Sequence, residues 1–213
     1  FFEDINFAAD GGIYGDMVKN RSFDFTYPLT GWTAYGKIEI RDDGPFERNP
    51  HYLRLNWSGH REKFTGVENE GFFGMGLKEG AKYIFSVWAR RNGGTLRVKL
   101  VDDDSMERSQ ILATGDISVT SADWTKYRLE LVSPVTIEDA HLRVELVGST
   151  SVDIEHVSLF PEDTWKGREG GLRKDLAQAL ADMKPGVFRF PGGCIVEGVT
   201  LENRYNWKNS VGP

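Results

Sequence analysis

Cysteine is almost missing from this chain. One residue, Cys194, stands in 213, so no internal disulfide can form and no cysteine cluster can hold zinc. No apolar run approaches the roughly 18 residues of a membrane span. The start, Phe1-Phe2-Glu3-Asp4-Ile5, has no basic stretch followed by a long apolar one, so it does not read as a signal peptide. It also lacks an initiating Met, which leaves secretion or a periplasmic address the favoured expectation. Positive charge is short too: 26 Lys and Arg against 32 Asp and Glu give −6. A general nucleic-acid binder needs the opposite sign, because its affinity rests on neutralising phosphates. With 24 Gly and 8 Pro the chain is not of low complexity, and no internal repeat is evident. What is abundant is aromatic: 6 Trp, 7 Tyr and 13 Phe, enough to build a sizeable core.

The middle alternates in period two. Leu53, Leu55 and Trp57 oppose Arg54 and Asn56; Leu96, Val98 and Leu100 oppose Arg97 and Lys99. Tyr127, Leu129 and Leu131 oppose Arg128 and Glu130, and Leu142, Val144 and Leu146 oppose Arg143 and Glu145. In Tyr83–Ala89 both faces carry apolar residues. Alternation with one charged face marks antiparallel strands that are buried on one side and wet on the other. Arg91-Asn92-Gly93-Gly94, Asp102-Asp103-Asp104-Ser105, Ser133-Pro134 and Gly148-Ser149 separate them, so a sandwich or jelly roll is expected. In Val152–Phe160 the apolar frame slips by one residue, which predicts a bulge near Glu155-His156.

The ends follow another grammar. Leu172, Leu176, Ala179, Leu180 and Met183 recur at helical spacing, Pro185-Gly186 stops the run, and Val187-Phe188-Arg189-Phe190 follows as a short apolar strand. Helix then apolar strand is the signature of a β/α fold. Phe1–Asn6 reads as a further strand. The expected division is 1–15, 16–162 and 163–213, the middle being an insertion.

The ends also carry motifs. Phe1-Phe2-Glu3-Asp4-Ile5-Asn6, Phe188-Arg189-Phe190-Pro191-Gly192-Gly193-Cys194 and Arg204-Tyr205-Asn206-Trp207 through Gly212-Pro213, with Asn20-Arg21-Ser22-Phe23, resemble the N-terminal part of glycoside hydrolase family 51 α-L-arabinofuranosidases. The middle resembles the carbohydrate-binding jelly roll that some members carry. The resemblance implies a mainly β chain: a jelly-roll β-sandwich, galactose-binding-like, inserted between the first strand and first helix of an incomplete (β/α)8 barrel. A complete barrel needs about 250 residues, far more than 1–15 and 163–213 supply. It also implies removal of terminal arabinofuranosyl residues from arabinan or arabinoxylan, with retention and no cofactor.

Retaining cleavage needs two carboxyls about 5–5.5 Å apart, which the family places on later strands. No catalytic residue is therefore assigned, and the chain alone is expected to be inactive. By the resemblance Glu3, Cys194 and Trp207 contact the sugar. The alternatives are a solvated acid, a small buried thiol and a core ring. Arg189, inside an apolar strand, is expected to be buried and paired with a carboxylate such as Glu3, while Gly192 and Gly193 allow close backbone approach. For sugar stacking the candidates are Trp32, Trp57 and Trp88, with Tyr35, Phe72 and Phe73, most of the set being expected in the core. The four His show no metal-ligand spacing; related jelly rolls suggest a structural calcium near an acid such as Asp153. The expected partner is a plant-cell-wall polysaccharide, with no nucleic acid or membrane. Association through an exposed barrel remnant is also expected. Two other classes compete: an autonomous carbohydrate-binding module, and a purely structural sandwich.

Overall fold

The computed structural model describes residues 2–57, 64–91, 93–102, 110–148, 150–206 and 208. The chain divides into two compact units, one made of Phe1–Gly15 with Asp163–Pro213 and the other of Asp16–Glu162.

The Asp16–Glu162 unit is a sandwich of two antiparallel sheets. Its strands are β1 Trp32–Tyr35, β2 Lys37–Arg41, β3 Tyr52–Asn56, β4 Thr65–Asn69, β5 Met75–Leu77, β6 Lys82–Arg90, β7 Thr95–Asp102, β8 Ile111–Ser118, β9 Thr125–Val132, β10 Ile137–Val147 and β11 Ser151–Pro161. One sheet runs β1-β4-β10-β7-β8 with β5 also on β10; the other runs β2-β3-β11-β6-β9. Apart from the consecutive pairs β2-β3 and β7-β8, neighbours in each sheet are distant in sequence, as in a jelly roll.

The alternation decides which side of each strand is dry. Leu142, Val144 and Leu146 of β10 share a core with Leu96, Val98 and Leu100 of β7, Val67 of β4, Leu53 and Leu55 of β3, and Phe85 and Val87 of β6. Each such side chain contributes about 1.5–3 kcal/mol through burial. The charged partners on β7 and β10 take the outer face. Gly66 in β4 is needed for contact rather than flexibility, because a Cβ there would stand 2.2 Å from the Val144 carbonyl oxygen. β11 shifts register against β6 between Glu155 and Ser158, where the frame slip places the bulge, and His156 has φ 47.

Buried polar groups pin the loops. Asn20 Nδ2 donates to the Pro28 and Thr30 carbonyls at 2.9 and 3.1 Å, and its Oδ1 accepts from Phe25 N. Asp16 Oδ1 accepts from Val18 N and Leu159 N, both at 3.1 Å, which ties the start of this unit to β11. Burial raises the Asp16 carboxyl above its usual range despite the nearby Arg21 charge.

In the other unit the helix α1, Lys174–Asp182, is shorter than the apolar stripe predicts. Arg173 N donates to Ile13 O at 2.8 Å and Gly15 N to Gly171 O at 3.1 Å, joining the two segments ahead of the helix. Asp175 in the first turn suits the positive end of the helix. Ala177 is buried, but Leu176 and Met183 of the stripe are exposed. A second helix, α2, covers Cys194–Glu197.

The two expected strands of this unit do not form a ladder. Phe2 N donates to Arg189 O at 2.9 Å and Asp4 N to Pro191 O at 2.8 Å, the spacing of a parallel pair. The reciprocal bond would have to come from residue 191, and proline has no N–H to give. Thus Phe2–Asp4 and Arg189–Pro191 lie side by side without becoming regular strands.

Candidate functional site

The first candidate site is where those segments meet. The Phe2 ring stacks on Phe188 at 6.1 Å and tilts against Phe190 at 5.7 Å. Glu3, half-buried, falls between the two residues whose amides bond the other segment. Asp4 Oδ1 accepts from Ala9 N at 3.0 Å and holds the turn that follows. So Glu3 and the Arg189–Gly192 run are brought together. Arg189 corrects its expectation: it is exposed, and its Nη2 reaches the Gly192 carbonyl at 3.5 Å. The flanking Phe188 and Phe190 are themselves about half exposed, so no apolar enclosure forces the guanidinium inward. Gly192 is buried and Gly193 half-buried. Cys194 opens α2; its side chain and the whole of Trp207 lie outside the described residues.

The sandwich carries the aromatic candidates. Trp32 is a core ring, 6% exposed, set against Phe23 at 5.2 Å with Nε1 donating to Asn20 O at 2.9 Å. It cannot stack on a sugar. Trp88 is half-buried, and Phe46, from the segment between β2 and β3, meets it edge-on at 5.3 Å. Tyr35 pairs with Phe64 at 4.8 Å. Trp57 is 44% exposed and Phe73 87%, so these two offer the accessible rings. Nothing in the sequence separated Phe73 from Phe72; the backbone turn does.

The outer faces are ionic. On the β10 sheet, Glu68 accepts from His141 Nδ1 at 2.9 Å and Arg143 Nε at 2.6 Å. Burial pushes its carboxyl up, but those hydrogen bonds and charges outweigh it and hold it below the usual range. Lys99 bonds both oxygens of Glu145 at 2.7 Å. On the β11 sheet, Asp153 is fully buried and receives Arg54 Nε at 2.6 Å, Arg54 Nη2 at 2.9 Å and Arg90 Nε at 2.9 Å. Arg90 lies over the Tyr52 and Trp124 rings at 5.1 and 4.7 Å. Both Asp153 oxygens are therefore occupied by guanidinium groups, and this acid does not fit calcium, which needs several oxygen ligands. No group of three or more His, Cys, Asp or Glu placed to hold a metal ion occurs among the described residues.

Next to it, Glu155 is buried with neither carboxyl oxygen hydrogen-bonded among the described residues, and His156 Nδ1 is likewise unpartnered. Burial, reinforced by Asp24, pushes the Glu155 carboxyl up to about 9. Burial, reinforced by Arg21 and Lys126, pushes the His156 imidazole down to about 4.

The Asp16–Glu162 unit is thus a two-sheet jelly roll with accessible rings at Trp57 and Phe73. Residues 15–151 match the carbohydrate binding domain family, and the chain belongs to it. Residues 179–213 match the α-L-arabinofuranosidase 1 domain. Over its whole length the chain is 38% identical to an extracellular exo-α-L-arabinofuranosidase of Streptomyces chartreusis, spanning 27% of that protein. It is 36% identical to α-L-arabinofuranosidase 1 of Arabidopsis thaliana, spanning 33%. An arabinose-bound GH51 α-L-arabinofuranosidase structure superposes on all of it with a TM-score of 0.85 at 29% identity, the match covering 36% of that chain. These 213 residues thus correspond to the N-terminal portion of such enzymes.

Proposed function

We propose that this chain is the front portion of a retaining α-L-arabinofuranosidase that removes terminal arabinofuranosyl residues from arabinan or arabinoxylan. The Phe1–Gly15 and Asp163–Pro213 segments would supply the first strand, first helix and second strand of a (β/α)8 barrel. The catalytic glutamate pair belongs to later strands. Whole-length similarity to arabinofuranosidases carries the reading, and the parallel contact of Phe2–Asp4 with Arg189–Pro191 supports it. That contact suits two neighbouring barrel strands, whose C-terminal ends form the active-site mouth.

In this reading Glu3 accepts hydrogen bonds from adjacent hydroxyls of the bound arabinose, as a carboxylate with two oxygens can. Cys194 and Trp207 line the same subsite, and Arg189, Gly192 and Gly193 shape its wall. The apolar side chains of this unit that face solvent, Val187, Val199 and Leu201 at 86, 93 and 79% exposure, would be covered by the remainder of the barrel. The sandwich would bind the polysaccharide. The test is Glu3→Gln in the full-length protein on p-nitrophenyl α-L-arabinofuranoside. A hydrogen bond to a charged group contributes about 1.5–3 kcal/mol, so kcat/KM falls at least about tenfold. An unchanged kcat/KM overturns the role of Glu3.

A further inference from the structure

We propose that the turn carrying Phe73 is a sugar-binding subsite that takes the end ring of a neutral pentose polysaccharide. The inference rests on the carbohydrate-binding membership of the sandwich and, for the choice of a pentose, on the arabinofuranosidase reading above.

The turn displays a ring at a cost. Gly74 N donates to Glu70 O at 3.2 Å, and Gly71 bridges to Gly74. Within it Phe73 has φ 64, a conformation that costs a non-glycine residue roughly 1–3 kcal/mol. The same residue leaves 87% of its surface in water. An isolated turn gains nothing from either. The conformation persists because Asn69, fully buried, holds it from below. Asn69 Oδ1 accepts from Gly71 N at 3.0 Å and from Lys19 N at 3.1 Å, and its Nδ2 donates to Lys19 O at 2.9 Å. One amide therefore fixes the turn and the strand of chain beside it.

Around the ring lies a cavity of about 370 Å³ lined by Lys19, Glu70, Phe73, Gly74, Asp139 and His141. Lys19 Nζ meets Glu70 Oε1 at 3.0 Å. Asp139 lies against Gly74: a Cβ there would sit 2.8 Å from its Oδ1, so glycine lets this carboxylate approach the turn. His141 is steadied by Glu68 through Nδ1. A pentose presents a face of C–H bonds and a rim of hydroxyls. An exposed ring takes the face, carboxylates accept from neighbouring hydroxyls, and an ammonium donates. At the small end of ligand pockets, the volume suits a chain end or a single-residue branch rather than a long polymer segment.

The test measures binding of the 213-residue chain to arabino-oligosaccharides and xylo-oligosaccharides by calorimetry, with affinity electrophoresis on arabinan and xylan. Phe73→Ala is expected to weaken binding about tenfold, Phe73→Tyr to retain it, and both to keep the wild-type thermal midpoint, because the ring is not in the core. The doubly substituted Glu70→Gln, Asp139→Asn chain is also expected to bind more weakly. Preference for the arabinose series identifies a branch arabinose and preference for the xylose series a xylan end; either supports the subsite. Wild-type affinity in both Phe73→Ala and the double variant overturns it, as does a wild-type chain that binds neither series. Hydrolysis by the full-length protein is a separate readout, so the loss of this proposal and the loss of the arabinofuranosidase reading are distinguishable.

Discussion

Raising the pH from 6.5 to 9 should loosen the sandwich, and Glu155 is the reason. Its folded carboxyl titrates at about 9 against 4.5 in the unfolded chain. Between those values the folded state keeps a proton that the unfolded state releases, so stability falls as pH rises. His156 works the other way. Its folded imidazole titrates at about 4 against 6.5 unfolded, so its contribution is lost as pH falls from 6.5 to 4. Each slope is about 1.36 kcal/mol per pH unit. From pH 4.5 to 6.5 the two oppose and cancel. Above 6.5 Glu155 acts alone, and about 3 kcal/mol is lost by pH 9. Glu155→Gln keeps the shape but cannot ionise. Urea unfolding of both chains at fixed pH between 5 and 9, followed by tryptophan fluorescence, isolates the effect. The difference in unfolding free energy between variant and wild type should grow by about 3 kcal/mol across the alkaline range. A difference that stays constant from pH 6.5 to 9 would refute the account of Glu155 as a buried, protonated acid.

Four further outcomes are expected. Leu142→Ala, at a fully buried position, should cost about 2–5 kcal/mol in the same unfolding experiment; a loss under 1 kcal/mol would contradict the core described. Gly66→Ala should destabilise measurably, because its Cβ would press on the Val144 carbonyl, and wild-type stability would show that β4 and β10 are not so close. Asp153→Asn leaves Arg54 and Arg90 facing a neutral group and should cost about 3–5 kcal/mol, with stability unchanged as the contrary result. Residues 1–213 alone should self-associate through the exposed Val187, Val199 and Leu201; light scattering that gives a monomer at high concentration speaks against it.

Much of the sandwich was legible in the sequence because five of its strands, β6, β7, β9, β10 and β11, are long and most, like the shorter β3, set charge against apolar side chains. The rest were hidden for local reasons. β4 contains Gly66 and a buried Asn69 that faces a turn, so its pattern reads as loop. β8 is an edge strand with Ile111 half exposed, and β1 and β5 are too short to alternate. The bulge at Glu155-His156 was legible because a one-residue slip reverses every following side chain. Which rings face water was not legible. Trp32 and Phe73 differ in exposure because Asn20 draws one inward and a left-handed turn throws the other out, and neither cause has a signature in hydrophobic pattern. Arg189 between two phenylalanines reads as buried, but burial depends on what covers both faces. Likewise the segments at Phe2–Asp4 and Arg189–Pro191 were recognisable as neighbours by motif, while their failure to pair regularly follows from one proline.

In the function proposed above, these residues open an arabinofuranosidase whose reacting groups lie further along the chain. Release of arabinose from p-nitrophenyl α-L-arabinofuranoside, followed by NMR of the first-formed anomer, tests it most directly. The full-length protein is expected to hydrolyse this substrate with retention while residues 1–213 do not. Turnover by residues 1–213 alone, or a full-length protein inert towards every arabinofuranoside, would contradict it.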